Sequence, residues 1–258
     1  MPWMKRYIRL VRNLSNWWLH FGSKWGLTKA DPLIFRTRNN VVVQVPKRLH
    51  HEFKEIFLEE CYIRGLGVPV SENPVVLDVG ANAGFFSLFA VSRFPGARVC
   101  SYEPIPANFR QLERNKDLNR GIGLRIYPKA LYGYSGEMAL SFDPGDSFTT
   151  SATVFEHAIK ENQSIRVPCV SLSQALEEND LEHCDLLKMD CEGSEYSILY
   201  NAPSHAFPRI RQITMEVHQG TGPKENMGAL MDFLKGQGFK CRRSGHMLWA
   251  WQGGRVFH

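Results

Sequence analysis

Val75-Val76-Leu77-Asp78-Val79-Gly80-Ala81-Asn82-Ala83-Gly84-Phe85-Phe86-Ser87 is the stretch on which the fold turns, and Ser101-Tyr102-Glu103-Pro104 completes it. An apolar run ends in Asp-x-Gly-x-x-x-Gly, and an acid follows about 20 residues after the last glycine. That is the spacing of a strand, a glycine loop, a helix, a second strand and a carboxylate at its tip. The glycines let the backbone approach a ligand with no Cβ in the way, and an acid in the place of Glu103 can accept both hydroxyls of a ribose. An adenosine-bearing cofactor fits this layout. The dinucleotide fingerprint Gly-x-Gly-x-x-Gly is missing: position 82 is Asn, and Asp78 precedes the first glycine. A carboxylate there repels a pyrophosphate at the helix N-terminus but suits a cationic amino-acid ligand. The loop therefore points to S-adenosylmethionine, with its sulfonium and ammonium groups, over NAD.

Outward from this stretch, strands and helices alternate, as a mostly parallel sheet requires. Val75–Val79, Arg98–Tyr102 and Leu124–Tyr127 predict three strands, with helices near 84–93 and 106–118. Residues 136–142 and 165–170 predict short strands around the polar loop 143–151, which could close over a ligand or serve as a solvated crossover. Ser171 predicts the cap of a helix running to about 178. Strands are expected at 184–189, 212–217, 239–243 and 248–251, and helices near 194–200 and over 225–236.

Two of these strands end in chemistry. Leu186-Leu187-Lys188-Met189-Asp190-Cys191-Glu192-Gly193-Ser194-Glu195 is a buried strand ending in Asp190, with Gly193 turning into a helix. Ligands of open α/β sheets bind beyond the carboxyl ends of the strands, so Asp190 is expected beside the reactive end of the cofactor. Glu192 either lines the site or caps the next helix, and Glu195 is expected inside that helix. Ile213-Thr214-Met215-Glu216-Val217-His218 is a second apolar strand, and alternation puts Glu216 and His218 on one side. His218 titrates near neutrality and could accept a substrate proton. Direct in-line methyl transfer then has His218 or Asp190 as base, with Glu216 orienting the partner. Asp190, Glu216 and His218 could also ligate Mg²⁺ or Mn²⁺.

Taken in order, Asp78 to Gly84, Tyr102-Glu103-Pro104, Lys188 to Glu195 and Glu216-Val217-His218 resemble the FkbM-type family of S-adenosylmethionine-dependent methyltransferases over residues 72–251. The resemblance implies an α/β fold: a Rossmann-like class I methyltransferase sheet of seven strands, the last antiparallel. It also implies O-methylation, often of sugar hydroxyls in polysaccharides, glycolipids or natural products. Carried over by position, it puts Asp78, Gly80, Asn82 and Gly84 around the methionine moiety and Glu103 on the ribose. Pro104 and Ile105 would border the adenine, and Ala130 and Leu131 would complete its pocket. Residues 132–137 bring no acid to the position that usually contacts adenine. The segment before residue 72 looks like that of members associated with surface-glycan synthesis.

The 258 residues divide at Ser71-Glu72-Asn73-Pro74 into an extension, 1–71, and the cofactor domain, 72–258. The net charge of +5 is uneven: residues 1–54 carry +9 and the rest −4. Residues 4–21 predict one helix with Met4, Ile8, Val11, Leu14, Trp18 and Phe21 as its apolar stripe and Lys5, Arg9, Arg12 and Asn16 on the other side. Such a helix packs on the domain or a partner subunit, or lies on an anionic membrane surface through residues 1–25. Leu33–Arg36 and 41–45 predict a hairpin, and 49–64 a helix with Phe53, Ile56, Phe57 and Tyr62 inward. No apolar run reaches the roughly 18 residues of a membrane span, and the N-terminus lacks the pattern of a signal peptide. Cys61, Cys100, Cys169, Cys184, Cys191 and Cys241 form no Cys-x-x-Cys pair, which predicts neither zinc nor disulfides and a reducing, cytoplasmic setting. A nucleic-acid acceptor is disfavoured because no Asn-Pro-Pro-Tyr-like motif follows the fourth strand. A non-catalytic cofactor-binding scaffold and a homo-oligomer built through the extension stay open as alternatives.

Overall fold

The extension folds onto the domain as helices α1 (Pro2–Asn13) and α2 (Trp18–Lys24), the hairpin β1 (Leu33–Arg36) and β2 (Val42–Val45), and helix α3 (His50–Phe57). The computed structural model describes residues 2–141 and 164–253. The expected single helix over 4–21 is two helices. At Leu14 the chain leaves α1 to bridge Thr37, and Asn16 then pairs with the hairpin, accepting from Arg36 N (2.8 Å) and donating to Ile34 O (2.9 Å). The buried face of α1 matches the expectation only in part. Leu14 is buried as expected, and Leu10 with it, while Met4, Ile8, Val11 and, on α2, Trp18 are exposed. The cause is electrostatic. Arg6 and Arg9 reach Glu59 and Glu60 at 3.4 and 3.3 Å and Arg12 also pairs with Glu60, which draws Arg9 toward the domain while Lys5 and Arg12 stay exposed. Helix α3 stops at Phe57, short of the expected 64, and the chain turns through Glu60 at φ 53°.

Beyond residue 74 come β3 (Val75–Val79), α4 (Phe85–Arg93), β4 (Arg98–Tyr102), α5 (Pro106–Asp117) and β5 (Leu124–Tyr127). The next elements are β6 (Ala130–Leu131), β7 (Gly136–Ser141), β8 (Ser164–Val170), α6 (Leu172–Glu178), β9 (Leu186–Met189) and α7 (Ser194–Tyr200). The last are β10 (Gln212–Glu216), α8 (Met227–Gly236), β11 (Phe239–Ser244) and β12 (Met247–Gln252). Seven strands make the main sheet in the order β11-β12-β10-β9-β3-β4-β5. All neighbours from β10 to β5 are parallel, and β12 runs antiparallel between β10 and β11. This is the expected seven-stranded α/β sheet with its antiparallel last strand. A small second sheet, β6-β8-β7, flanks it. The polar stretch 143–151 lies outside the described residues.

Strand periodicity sorts the core into two layers. Leu77, Val79 and Tyr102 face the cluster formed with α6, α7 and α8, while Val76 and Val99 face α4 and the extension. Parallel strands covered on both faces are buried throughout, as β3 and β9 are. An aromatic file joins extension to domain: Phe53 lies 5.8 Å from Phe85, and Phe57 5.4 Å from Phe89. Side chains from α5 tie the hairpin down. Asn115 accepts from Gln44 N (2.8 Å) and donates to Ala83 O (2.8 Å), and Asn119 accepts from Val42 N and donates to Val42 O, both at 2.7 Å. Asn115 on α5 and Asn119 just beyond its C-terminal end thus fill the outer edge of β2 in the place of another strand. The cap of α6 is Ser171, which accepts from Gln174 N as expected.

Candidate active site

Parallel register decides what surrounds the glycine loop. Asp78 on β3 stands opposite Ser101 of β4 and Lys188 of β9. It is fully buried, ion-paired with Lys188 Nζ at 3.0 Å and accepting from Ser87 Oγ at 2.5 Å. Burial pulls the Lys188 ammonium down, but the Asp78 and Asp190 carboxylates outweigh it and hold the pKa above its ordinary value. Lys188 Nζ also donates to Gly80 O at 2.7 Å. Asp78 was expected beside the methionine moiety; its side chain instead pins the loop from behind through Lys188. The loop rises from there. Gly80 N and Ala81 N both donate to Tyr102 O at 3.0 Å. Gly80 has φ 71°, and a Cβ there would stand 1.8 Å from Asp190 O. Gly84, also behind the wall, has φ 81° and lets α4 start against Leu112.

In front of the loop is an open cleft. Gly80, Asn82, Glu103, Pro104, Ile105, Ala130 and Leu131 line it, together with Asp190 and Glu192 at its other end. Glu103 Oε2 accepts from Asn82 N and Oε1 from Ile105 N, each at 2.8 Å. Burial pushes its carboxyl up, the two backbone N–H groups and Lys188 draw it back, and it settles at about 7. Each carboxylate oxygen can accept a further bond, which leaves room for ribose hydroxyls. Asn82 Oδ1 is buried with no partner among the described residues, an acceptor suited to an ammonium group. The apolar walls, the acid at the tip of β4 and the unfilled acceptor fit S-adenosylmethionine.

A second cavity of about 770 Å³ adjoins the first, and Gly80, Asn82, Asp190 and Glu192 line both. Its walls include Glu216 and His218 from the end of β10, and His51, Glu52, Glu55, Ile56 and Tyr62 from the extension. Tyr62 OH donates to Asp190 Oδ2 at 2.7 Å. His218 is clamped: Nδ1 lies 2.7 Å from Glu195 Oε1 and Nε2 3.4 Å from Glu192 Oε2. Burial lowers the imidazole pKa, but the Glu195 bond and the charges of Glu195, Glu192 and Asp190 raise it to about 9. His218, expected as a proton acceptor, therefore already carries its proton at neutral pH. Glu192 is the contrasting group. Burial raises it, His218 lowers it, Asp190 and Glu195 raise it again, and it lies at about 7.

The expected metal set changes as well. Asp190, Glu192 and His218, with Glu192 in the place of Glu216, bring one ligand atom each within 4.8 Å of one another. A metal-ligating imidazole must be neutral, and Mg²⁺ and Mn²⁺ favour oxygen donors. With no ion between them, the Glu192 and Glu195 carboxylates and the imidazole form an internal ion pair. Tyr62, Glu55 and the Glu195–His218 bond escape a sequence reading because their partners lie far away in the chain. Glu192 carried a local signal, its place just after the strand tip.

The family model described as Methyltransferase FkbM domain matches residues 78–241. The 31-O-demethyl-FK506 methyltransferase FkbM of Streptomyces tacrolimicus is 31% identical over 213 residues, covering 72% of this chain and 80% of that protein. The chain belongs to the FkbM-domain methyltransferases. Like its family, it is an S-adenosylmethionine-dependent methyltransferase. Two other relatives are methyltransferase sdnD of Sordaria araneosa and hexuronic acid methyltransferase AglP of Haloferax volcanii. The first is 28% identical over 74% of this chain and 82% of its own, the second 26% over 65% of each. Among solved structures, a methyltransferase FkbM from Methylobacillus flagellatus superposes with TM-score 0.49 at 15% identity, over 79% of this chain and 54% of its own.

Proposed function

We propose that this enzyme methylates a hydroxyl group of a sugar, in a glycan, a glycolipid or a glycosylated natural product, and that the sugar is not a uronate. The observation that carries this reading is the second cavity, which meets the cofactor cleft at Asp190 and Glu192 and is walled by Glu52, Glu55 and Glu216. The carboxylates outnumber the Lys188 ammonium and the His218 imidazolium that share this lining, so it suits a polyol, whose hydroxyls are donors, better than an anionic acceptor such as a uronate or a nucleic-acid backbone. The name of AglP, a hexuronic acid methyltransferase, supports a sugar as the substrate class.

When bound, S-adenosylmethionine supplies an electrophilic methyl group on a sulfonium. In this reading Gly80 and Asn82 hold the methionine moiety, Glu103 the ribose, and Pro104, Ile105, Ala130 and Leu131 the adenine. Asp190, steadied by Tyr62, orients the acceptor hydroxyl at the junction of the two cavities. Glu192 takes its proton as the oxygen attacks, a role matched by a pKa near the working pH. His218 is a positioning residue, fixed by Glu195, and Glu216 adds to the negative wall. The test is transfer of an isotopically labelled methyl group to pools of neutral and uronic oligosaccharides, with wild type and Asp190→Asn. Label in neutral sugars, lost in the variant while S-adenosylhomocysteine affinity stays, supports the reading. Label confined to uronates or to non-sugar acceptors overturns it.

A further inference from the structure

Helix α3 has a second charged face. His51, Glu52 and Glu55 look into the acidic cavity, whereas His50 and Lys54 look the other way, into an open cavity of about 1040 Å³ enclosed by α1, α2 and the hairpin. Arg6, Lys24, Lys47 and Lys54 line it with His20 and His50, over an aromatic floor that includes Phe35 and Phe53. Among the described residues no carboxylate lines this cavity. Glu59 touches Arg6 from the side at 3.4 Å, and Asp31 accepts from the Lys47 backbone N–H at 2.8 Å. Lys24 Nζ has Tyr7 OH at 3.4 Å, and the Lys47 and Lys54 ammonium groups have no ion-pair partner among the described residues. Arg6 Nε and His50 Nε2 are buried with no hydrogen-bond partner among them.

Arg6 has Glu59 beside it, but Lys24, Lys47 and Lys54 face the same partly enclosed cavity with no carboxylate against them, and such cations repel one another unless an anion joins them. The neighbouring imidazoles register that field. Burial, then Arg6, Lys54 and Lys24, lower His20 to about 4, and burial and Lys54 lower His50 against the pull of Asp31. A monocarboxylate would match one of these cations. A phosphate group offers several acceptor oxygens and more than one charge, enough for the lysines and the unpartnered Arg6 Nε together. The aromatic surface continues outward. Tyr7 on the rim lies 5.4 Å from Phe21, and Phe21 lies 5.3 Å from Trp25, which is 67% exposed.

We propose that this cavity is a second ligand site, distinct from the methyl-transfer cleft, which binds the phosphate or pyrophosphate group of a soluble ligand or of a lipid headgroup. Its ligand would sit across α3 from the acceptor cavity, about 10 Å away, one helix diameter.

The test uses the full chain and titrates sodium pyrophosphate, followed by calorimetry and ³¹P NMR, into wild type and Lys47→Gln/Lys54→Gln. Neither lysine side chain holds the fold together, and circular dichroism checks that the variant is folded. Binding that weakens about tenfold or more in the variant, while S-adenosylhomocysteine binding is unchanged, supports the site. In parallel, co-sedimentation with phosphatidylcholine vesicles, with and without phosphatidic acid, separates the sources. Retention that depends on phosphatidic acid and on both lysines assigns a lipid headgroup, and pyrophosphate binding without retention assigns a soluble phosphate. Absence of both at low ionic strength, or equal binding by the variant, overturns the proposal and leaves the sugar-methylation reading untouched.

Discussion

Glu103 serves two masters, since the carboxylate that faces the cofactor cleft also receives the backbone N–H groups of Asn82 and Ile105. In Glu103→Gln an amide N–H must face one of those N–H groups. The unfolding free energy should fall by about 1–3 kcal/mol in urea titration, and S-adenosylhomocysteine affinity should fall with it in calorimetry. Around the proton transfer, pH should act on two groups. Turnover should rise with pH through about 7 as Glu192 loses its proton, and decline above about 9 as His218 loses the charge that pairs it with Glu195 and Glu192. Glu195→Gln should move the alkaline limb down, because the first-named support of the imidazolium is then gone. The same pair bears on stability. The folded pKa of His218 lies above its ordinary 6.5, so its contribution is fully present below 6.5 and disappears as pH rises through about 9. Asp190, His218 and Glu103 were legible in the sequence because strand tips followed by acids are local patterns. The protonation of His218 was not, because it depends on Glu195, which reaches the ring from another element. The part of Asp78 was misread for the same reason: its buried partner Lys188 is set by strand register, which no local pattern records.

Elements were read best where one physical signal dominated. The strands β3, β4 and β5 are short apolar runs bounded by breakers, and their limits matched; α6 announced its start through Ser171. The N-terminal helix was misjudged because apolar periodicity alone decides a buried face only when charges have no partners, and Glu59 and Glu60 were too distant to enter that reading. The edge of β2 likewise owes its order to asparagines some 70 residues away. Asn115→Ala leaves Gln44 N and Ala83 O without their partners, so it should lower the unfolding free energy by roughly 2 kcal/mol or more, with a thermal melt as the check. Gly80→Ala should be more severe for the site. Its φ of 71° and the 1.8 Å approach to Asp190 O leave no room for a methyl group, so the loop must move and S-adenosylhomocysteine binding should vanish in calorimetry.

At the scale of the molecule, the extension and the domain share one apolar layer, in which Phe53 and Phe57 meet Phe85 and Phe89 with Trp249 close by. A chain lacking residues 1–71 would bare that layer. It should be recovered as aggregate or show no cooperative melt, while the full chain melts in a single transition. Among the described residues no helix is long and apolar enough to cross a membrane. The contribution of Glu52, Glu55 and Tyr62 to the second cavity was not legible in the sequence, since nothing in 49–64 distinguishes a wall residue from a packed one. The stretch matched by the family, 78–241, holds the donor cleft, whereas one wall of the acceptor cavity comes from residues 51–62. Donor and acceptor would then be held by different parts of the chain, so exchanging residues 51–62 should change the acceptor preference and leave S-adenosylhomocysteine affinity intact.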